Sequence, residues 1–293
     1  MDTVTVCSMQ DVTIQEGTEC VVKDLQLDIR ESEITVLIAE DNSASQILQV
    51  MGGFRSAEQG DVVYPGIASE DGVLPAGWIQ YVPDDIICYS NMKVKDFLCG
   101  VALASSMETI REGVRLCGVF GINPEEELLE LTFEQNRLVA MIQALIRRPK
   151  LLLLDRPYDM LGKRAYLLLW KEIMELRKQG TTVVVSAQSY EDVKIACDRY
   201  LFLRDGELYK DSTRKELPRP AKVITIEGGS VNAMNPEKLQ LLYRDRRRCR
   251  FLYWESNMGE LVLRIYKTGC YNFNVEELSM EEEIFADYER WMQ

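Results

Sequence analysis

The sequence predicts an α/β protein: a buried parallel sheet, antiparallel strands before it, a helical stretch within it, and a small α+β unit after it. Three observations carry this reading. Short apolar runs, ITVLI (34–38), WIQYV (78–82), LLLLD (151–155) and TTVVVS (181–186), have the character of strands buried on both faces. Between them the apolar period changes to that of a helix. Ahead of them, VVKDLQLDI alternates Val22, Leu25, Leu27 and Ile29, as half-buried antiparallel strands do.

Each later element has its own signal. In FEQNRLVAMIQALIRR, Leu138, Met141, Ile142 and Leu145 recur on one helix face, and Arg147 and Arg148 would suit the negative end of its dipole. YLFLRDGELYK is a hairpin about Asp205-Gly206, a pair that accepts the positive φ angles of a tight turn. DSTRKELPRP then reads as a linker, since Pro218 and Pro220 break regular structure. Beyond it come a strand in AKVITIEGG, another in LVLRIYK, and an acidic helix in SMEEEIFADYERWM. These signals divide the chain into residues 1–215, with a helical subdomain at about 85–148, and residues 216–293.

Composition narrows the function classes. The net charge of −13 argues against nucleic acid as a partner, because phosphate backbones attract basic surfaces. Eight cysteines form no CxxC pair and there is no histidine, so no zinc-binding pattern is present and free thiols filling core positions are expected. No apolar run approaches the roughly 18 residues of a membrane span, and MDTVTVCSMQD lacks the features of a signal peptide. A cytoplasmic chain that reaches a membrane only through a partner is expected.

LTFEQNRLVAMIQALIRRPKLLLLDRPYDMLGK carries a resemblance. From about Thr3 to Asp211 the chain resembles the nucleotide-binding subunit of an ATP-binding cassette (ABC) transporter, and the ordered spacing of its motifs agrees. That resemblance implies the ABC-type P-loop nucleotide-binding fold: parallel core sheet, N-terminal antiparallel β-subdomain and helical subdomain, here with a small C-terminal α+β domain. The end of the chain, GCYNFNVEELSMEEEIFADYERWM, is similar to the close of subunits from the drug, sodium and antimicrobial-peptide export branch.

Carried over position by position, the resemblance implies lost chemistry. The family's phosphate loop uses glycine N–H groups, a lysine and a metal-binding hydroxyl to hold Mg²⁺-triphosphate. Here Ala39, Asn42 and Ala44 fall on the glycines, Ser45 on the lysine and Gln46 on the hydroxyl. Asp84 falls on the glutamine that senses Mg²⁺. The signature becomes Leu131 followed by Thr132, Phe133, Glu134 and Gln135, which would turn the Glu134 carboxylate toward a partner's γ-phosphate. Asp155 survives, but Arg156 replaces the catalytic glutamate, Gly162 an aspartate and Gln188 a histidine; no aromatic residue precedes Phe54 to stack on adenine.

Asp41, Asn42 and Ser43 are good helix-capping residues, so the expectation is a helix end closed by its own side chains. Asp155 is expected to be a helix cap rather than a cation ligand. Asp84, Ile86, Ile87, Phe97 and Leu98 fall where the family docks its membrane subunit, though the apolar ones could equally be local core. The basic run RDRRRCR (244–250) is read as solvated or as neutralising acidic neighbours such as Glu281 to Glu283, in preference to a lipid or partner contact.

The expected function is therefore that of a non-hydrolysing subunit of an ABC export complex, peripheral to the inner face of the membrane. It would pair with an intact ATPase paralogue and dock on permease subunits, with no cofactor; weak Mg²⁺–ATP binding is left open. Two alternatives stand beside it: a divergent ATPase in which Arg156 supplies a missing group, and a soluble regulator that uses the old dimer surface.

Overall fold

The computed structural model describes residues 4–65, 74–85, 91–102, 107–189, 193, 197–213, 222–227, 239–244, 248–253, 258–267 and 272–277. The chain forms two compact units, Met1–Arg214 and Lys215–Gln293.

In the first unit, β1 (Thr5–Glu16), β2 (Glu19–Arg30) and β4 (Gln59–Val63) make an antiparallel sheet in the order β2-β1-β4. The alternation in β2 buries Val22, Leu25, Leu27 and Ile29, the half-buried pattern its sequence predicts. The six-stranded core sheet runs β5-β6-β7-β3-β8-β9 and uses β3 (Ile34–Ile38), β5 (Ile79–Val82), β6 (Leu151–Leu154), β7 (Thr182–Ala187), β8 (Arg199–Arg204) and β9 (Glu207–Thr213). Its first five strands are parallel and β9 is antiparallel. Every residue of β3, β6 and β7 is buried, which is why these runs are mostly apolar rather than alternating; Thr35, Thr182 and Ser186 are their buried polar residues.

The helices are α1 (Ser43–Met51), α2 (Val94–Ala102), α3 (Met107–Phe120), α4 (Phe133–Leu145) and α5 (Lys163–Lys178). Leu138, Met141, Ile142 and Leu145 of α4 are all buried. Thr132 and Gln135 close a capping box at its start, a T-x-x-Q pattern legible in the sequence. The helix stops at Leu145 with Ile146 as its C-cap, and Arg147 and Arg148 follow directly at the negative end of its dipole, Arg148 in the left-handed region at φ 46°.

The β8–β9 hairpin turns at Asp205 (φ 49°) and Gly206 (φ 76°). Gly206 also receives a backbone hydrogen bond from Lys23 at 2.9 Å, and a Cβ there would meet the Val21 carbonyl oxygen at 2.6 Å. Gly206→Ala is expected to cost about 1–3 kcal/mol, through left-handed strain and collision with β2. A urea midpoint unchanged from wild type would contradict this. The expected linker starts too early, since Asp211–Thr213 complete β9, where Asp211 accepts two hydrogen bonds from buried Arg199 at 2.8 and 2.6 Å.

The second unit is an antiparallel sheet, β11-β12-β10-β13, from β10 (Lys222–Glu227), β11 (Leu239–Arg244), β12 (Arg248–Tyr253) and β13 (Phe273–Glu277), with α6 (Met258–Lys267). The strand expected in LVLRIYK is instead α6. Leu261, Leu263 and Ile265 alternate as in a strand, but burial falls on Leu261 and Ile265, one helical turn apart, while Leu263 is exposed. They pack with Ile224, Ile226, Cys249, Phe251 and Tyr253. Of the basic run, Arg248 pairs with Glu227 at 2.7 Å and Arg250 with Glu276 at 3.8 Å. The proposed partners Glu281 to Glu283 and the expected final helix lie outside the described residues.

The cysteines are only partly core. Cys7, Cys117, Cys197 and Cys249 are buried, Cys20 is exposed and Cys99 half-buried, while Cys88 and Cys270 lie outside the described residues.

Candidate functional site

In an open α/β sheet, the loops leaving the carboxyl ends of the parallel strands build the site. Here β3 leads to residues 39–42 and the start of α1, β5 to 83–85, β6 to 155–162, and β7 to Gln188. The buried apolar strands fix where these loops begin. The polar chemistry is supplied by a handful of side chains at their ends.

Asp155, 1% exposed, is the centre. Its Oδ1 accepts hydrogen bonds from the hydroxyls of Ser45, at 2.7 Å, and Ser186. Its Oδ2 accepts from the Tyr81 hydroxyl at 3.1 Å. The expectation that Asp155 caps a helix is thus corrected: it terminates β6 and gathers donors from α1, β5 and β7. Burial, and then the Asp155 carboxylate itself, push the Tyr81 phenol well above its ordinary range, so it remains a donor.

At the start of α1 the capping is shifted by one residue. Asn42 occupies the N-cap position but makes no side-chain cap. Asp41 accepts from the Ser43 backbone N–H at 2.9 Å and from the Ser43 hydroxyl, because its side chain, one residue earlier, reaches over the first turn. Ala44, Ser45 and Gln46 are buried, and Gln46 Oε1 accepts from the Arg55 guanidinium.

On the other side of Asp155, Arg156 adopts φ 42°, donates its backbone N–H to the Ser186 hydroxyl at 2.9 Å and forms an ion pair with Asp84. Arg137, 3% exposed, reaches from α4 into the gap between the two loops. Its two terminal nitrogens donate to four carbonyls, those of Pro83 (3.3 Å), Asp84, Asp155 (2.9 Å) and Arg156 (2.7 Å). Burial draws the guanidinium below its ordinary value, while Asp159, Asp84 and Asp155 oppose the shift.

The signature segment turns inward. Glu134 Oε1 accepts from the Gly162 N–H at 2.8 Å and so covers the N-terminus of α5 within this chain. Thr132 and Gln135 are engaged in the α4 capping box, and Phe133 stands exposed. Gln188 is exposed, with its backbone N–H donated to the Tyr158 hydroxyl at 3.0 Å.

Of the residues expected to dock a membrane subunit, Leu98 is buried beside Gly113 of α3 and is core, Phe97 is half-buried, and Asp84 is held by Arg156. Ile86 and Ile87 lie outside the described residues. Tyr81, Ser186 and Arg137 escaped the sequence reading. An arginine on a helix whose neighbours Leu138, Val139 and Ala140 are apolar was the available signal for Arg137; nothing local marks Tyr81 or Ser186.

A parallel sheet with an antiparallel β-subdomain and a helical insertion, its polar loops gathered at the strand ends, defines the ABC ATP-binding fold. Comparison with known proteins agrees. The chain is similar to the ATP-binding subunit of an ABC transporter (TM-score 0.64, 17% identity, 72% of this chain and 91% of that one) and to MJ1267, an ATP-binding cassette solved in its ADP conformation (TM-score 0.60, 16% identity, 73% and 93%).

Its sequence relatives are ABC transporter ATP-binding proteins, as the motif order implies. They include the arabinose import ATP-binding protein AraG 1 of Burkholderia ambifaria (24% identical over 222 residues, 71% of this chain and 44% of the relative). Another is the uncharacterized ABC transporter ATP-binding protein YhaQ of Bacillus subtilis (26% over 228 residues, 75% and 76%). The matched region spans less than half of the AraG relative's length. No family model matches the chain.

Proposed function

We propose that this chain is a non-hydrolysing subunit of an ABC transporter, pairing with an intact ATPase paralogue and docking on permease subunits at the inner face of the membrane. One contact carries the reading. The Ser45 hydroxyl, at the position of the family's phosphate-binding lysine, is donated to Asp155, at the position of its metal-binding aspartate. The two groups that would grip Mg²⁺-triphosphate bind each other.

On donor chemistry, the residues present do not fit Mg²⁺–ATP. A hydroxyl cannot neutralise phosphate as an ammonium does, and Gln46 offers its carbonyl to Arg55 where a metal-binding hydroxyl is needed. Losing two or three charge-assisted hydrogen bonds costs about 3–9 kcal/mol. Each 1.4 kcal/mol is about tenfold in affinity, which weakens a micromolar site by about two to six powers of ten; loss of the metal-binding hydroxyl adds to this and takes it to millimolar or weaker. Arg156 cannot serve as a general base for water.

Among the described residues no helix is long and apolar enough to cross a membrane; the proposed membrane contact is made through partners. An export role rests on the resemblance of the C-terminal sequence, of which β13 is described and the following segment is not. The named relatives include arabinose importers, so the cargo is left unspecified.

Titration of the purified chain with mant-ATP and Mg²⁺ tests the reading. No saturation is expected below millimolar nucleotide. Saturation at micromolar concentration would defeat the proposal in favour of a divergent ATPase.

A further inference from the structure

We infer that the chain carries a built-in latch, independent of nucleotide, that fastens the helical subdomain to the core sheet. Three contacts compose it. Arg137 of α4 ties the loop after β5 to the loop after β6 through four carbonyls. The Asp84–Arg156 ion pair joins the same two loops by their side chains. Glu134 of α4 receives the backbone N–H of Gly162 ahead of α5.

The contacts reinforce one another. Asp84 supplies both a carbonyl to Arg137 and a carboxylate to Arg156, while Arg156 supplies a carbonyl to Arg137 and its guanidinium to Asp84. Arg156 sits at φ 42°, a left-handed conformation uncommon for a non-glycine residue; its backbone N–H is held there by Ser186. Its side chain and that of Asp84 are 20% and 29% exposed, so water screens the pair only partly. Because every donor and acceptor named belongs to this chain, the joining of Pro83 and Asp84 to Asp155 and Arg156 needs no bound ligand. The first helix of the subdomain, α2, follows the β5 loop directly along the chain, and its backbone is fastened where Val94 and Lys95 donate to the Glu126 and Pro124 carbonyls at 3.0 and 2.9 Å.

The inference depends on the proposed absence of nucleotide binding only for its independence of nucleotide; the ion pair can be tested without any nucleotide. Hydrogen–deuterium exchange of the full chain would be followed at amides of residues 83–85 and 155–162. Arg156→Asn removes the guanidinium while keeping a residue that tolerates the left-handed region. Exchange in both segments is expected to rise about tenfold in this variant, with the core strands still protected. The exchanged pair, Asp84→Arg with Arg156→Asp, is expected to restore slow exchange. Wild-type exchange is expected to be the same with and without millimolar Mg²⁺–ATP.

Unchanged exchange in Arg156→Asn, or failure of the exchanged pair to restore it, would overturn the ion pair as a latch. A change in wild-type exchange on adding Mg²⁺–ATP would overturn its independence of nucleotide. Micromolar mant-ATP binding with the two variant results intact would sink the non-binding reading and leave the ion pair standing.

Discussion

Replacing Arg137 with methionine is expected to lower the free energy of unfolding by about 3–5 kcal/mol, the larger part of it from carbonyls left without a donor. The guanidinium is buried and bridges Pro83, Asp84, Asp155 and Arg156, so a side chain of similar length but no donors strands three acceptors at once, the Arg156 carbonyl keeping the Asp159 N–H at 3.1 Å. Part of the loss is offset, because burying the cation is itself costly and burial draws its pKa down. Arg137→Lys should recover only a fraction, since one ammonium cannot span four carbonyls in the geometry of a planar fork. The measurement is a urea midpoint at unchanged m-value. A loss below about 1 kcal/mol for the methionine variant would mean that the carbonyls find water or other donors.

Asp155→Ala is expected to cost about as much, roughly 3–5 kcal/mol, by leaving the Ser45, Ser186 and Tyr81 hydroxyls without their acceptor in a buried setting. Asp155→Asn keeps one carbonyl oxygen for the two serines and should cost roughly half of that. The comparison separates a polar keystone from a metal ligand. If Asp155 held a cation, Mg²⁺ would raise the melting temperature of the wild-type chain and not of Asp155→Asn. The expected result is the same melting temperature with and without Mg²⁺ in both.

Both variants probe how the polar ends of the strands satisfy one another within the chain. The carboxyl ends of parallel strands leave polar loops that must satisfy one another or a ligand. Here Ser45 meets Asp155 and Asp84 meets Arg156, so these groups are satisfied within the chain. Capping follows the same logic: Asp41 takes the first N–H of α1 and Glu134 takes that of Gly162 before α5. Both N-termini would otherwise offer their dipoles to an anion.

Much of this was legible beforehand, and unevenly so. The strands β3, β6 and β7 are mostly apolar, without alternation, because both faces are covered. The capping box Thr132-Gln135 and the Asp205-Gly206 turn are local chemistry, and local chemistry is readable. LVLRIYK misled because three apolar residues at alternate positions satisfy a strand and, at the four-residue spacing of Leu261 and Ile265, also a helix. Which period prevails depends on the sheet that Leu261 and Ile265 pack against.

By itself the sequence determined the α/β layering, the order of the motifs and the residue types at each motif position, since all three are properties of the chain read in one dimension. Only the tertiary structure decided the partners. Ser45 lies 110 positions from Asp155, and Asp84 lies 72 from Arg156. No period or local motif reports on pairs so far apart. They meet because the buried sheet brings the ends of β3, β5, β6 and β7 to one edge, and the unpaired polar groups there have lower free energy bonded to each other than left buried without a partner.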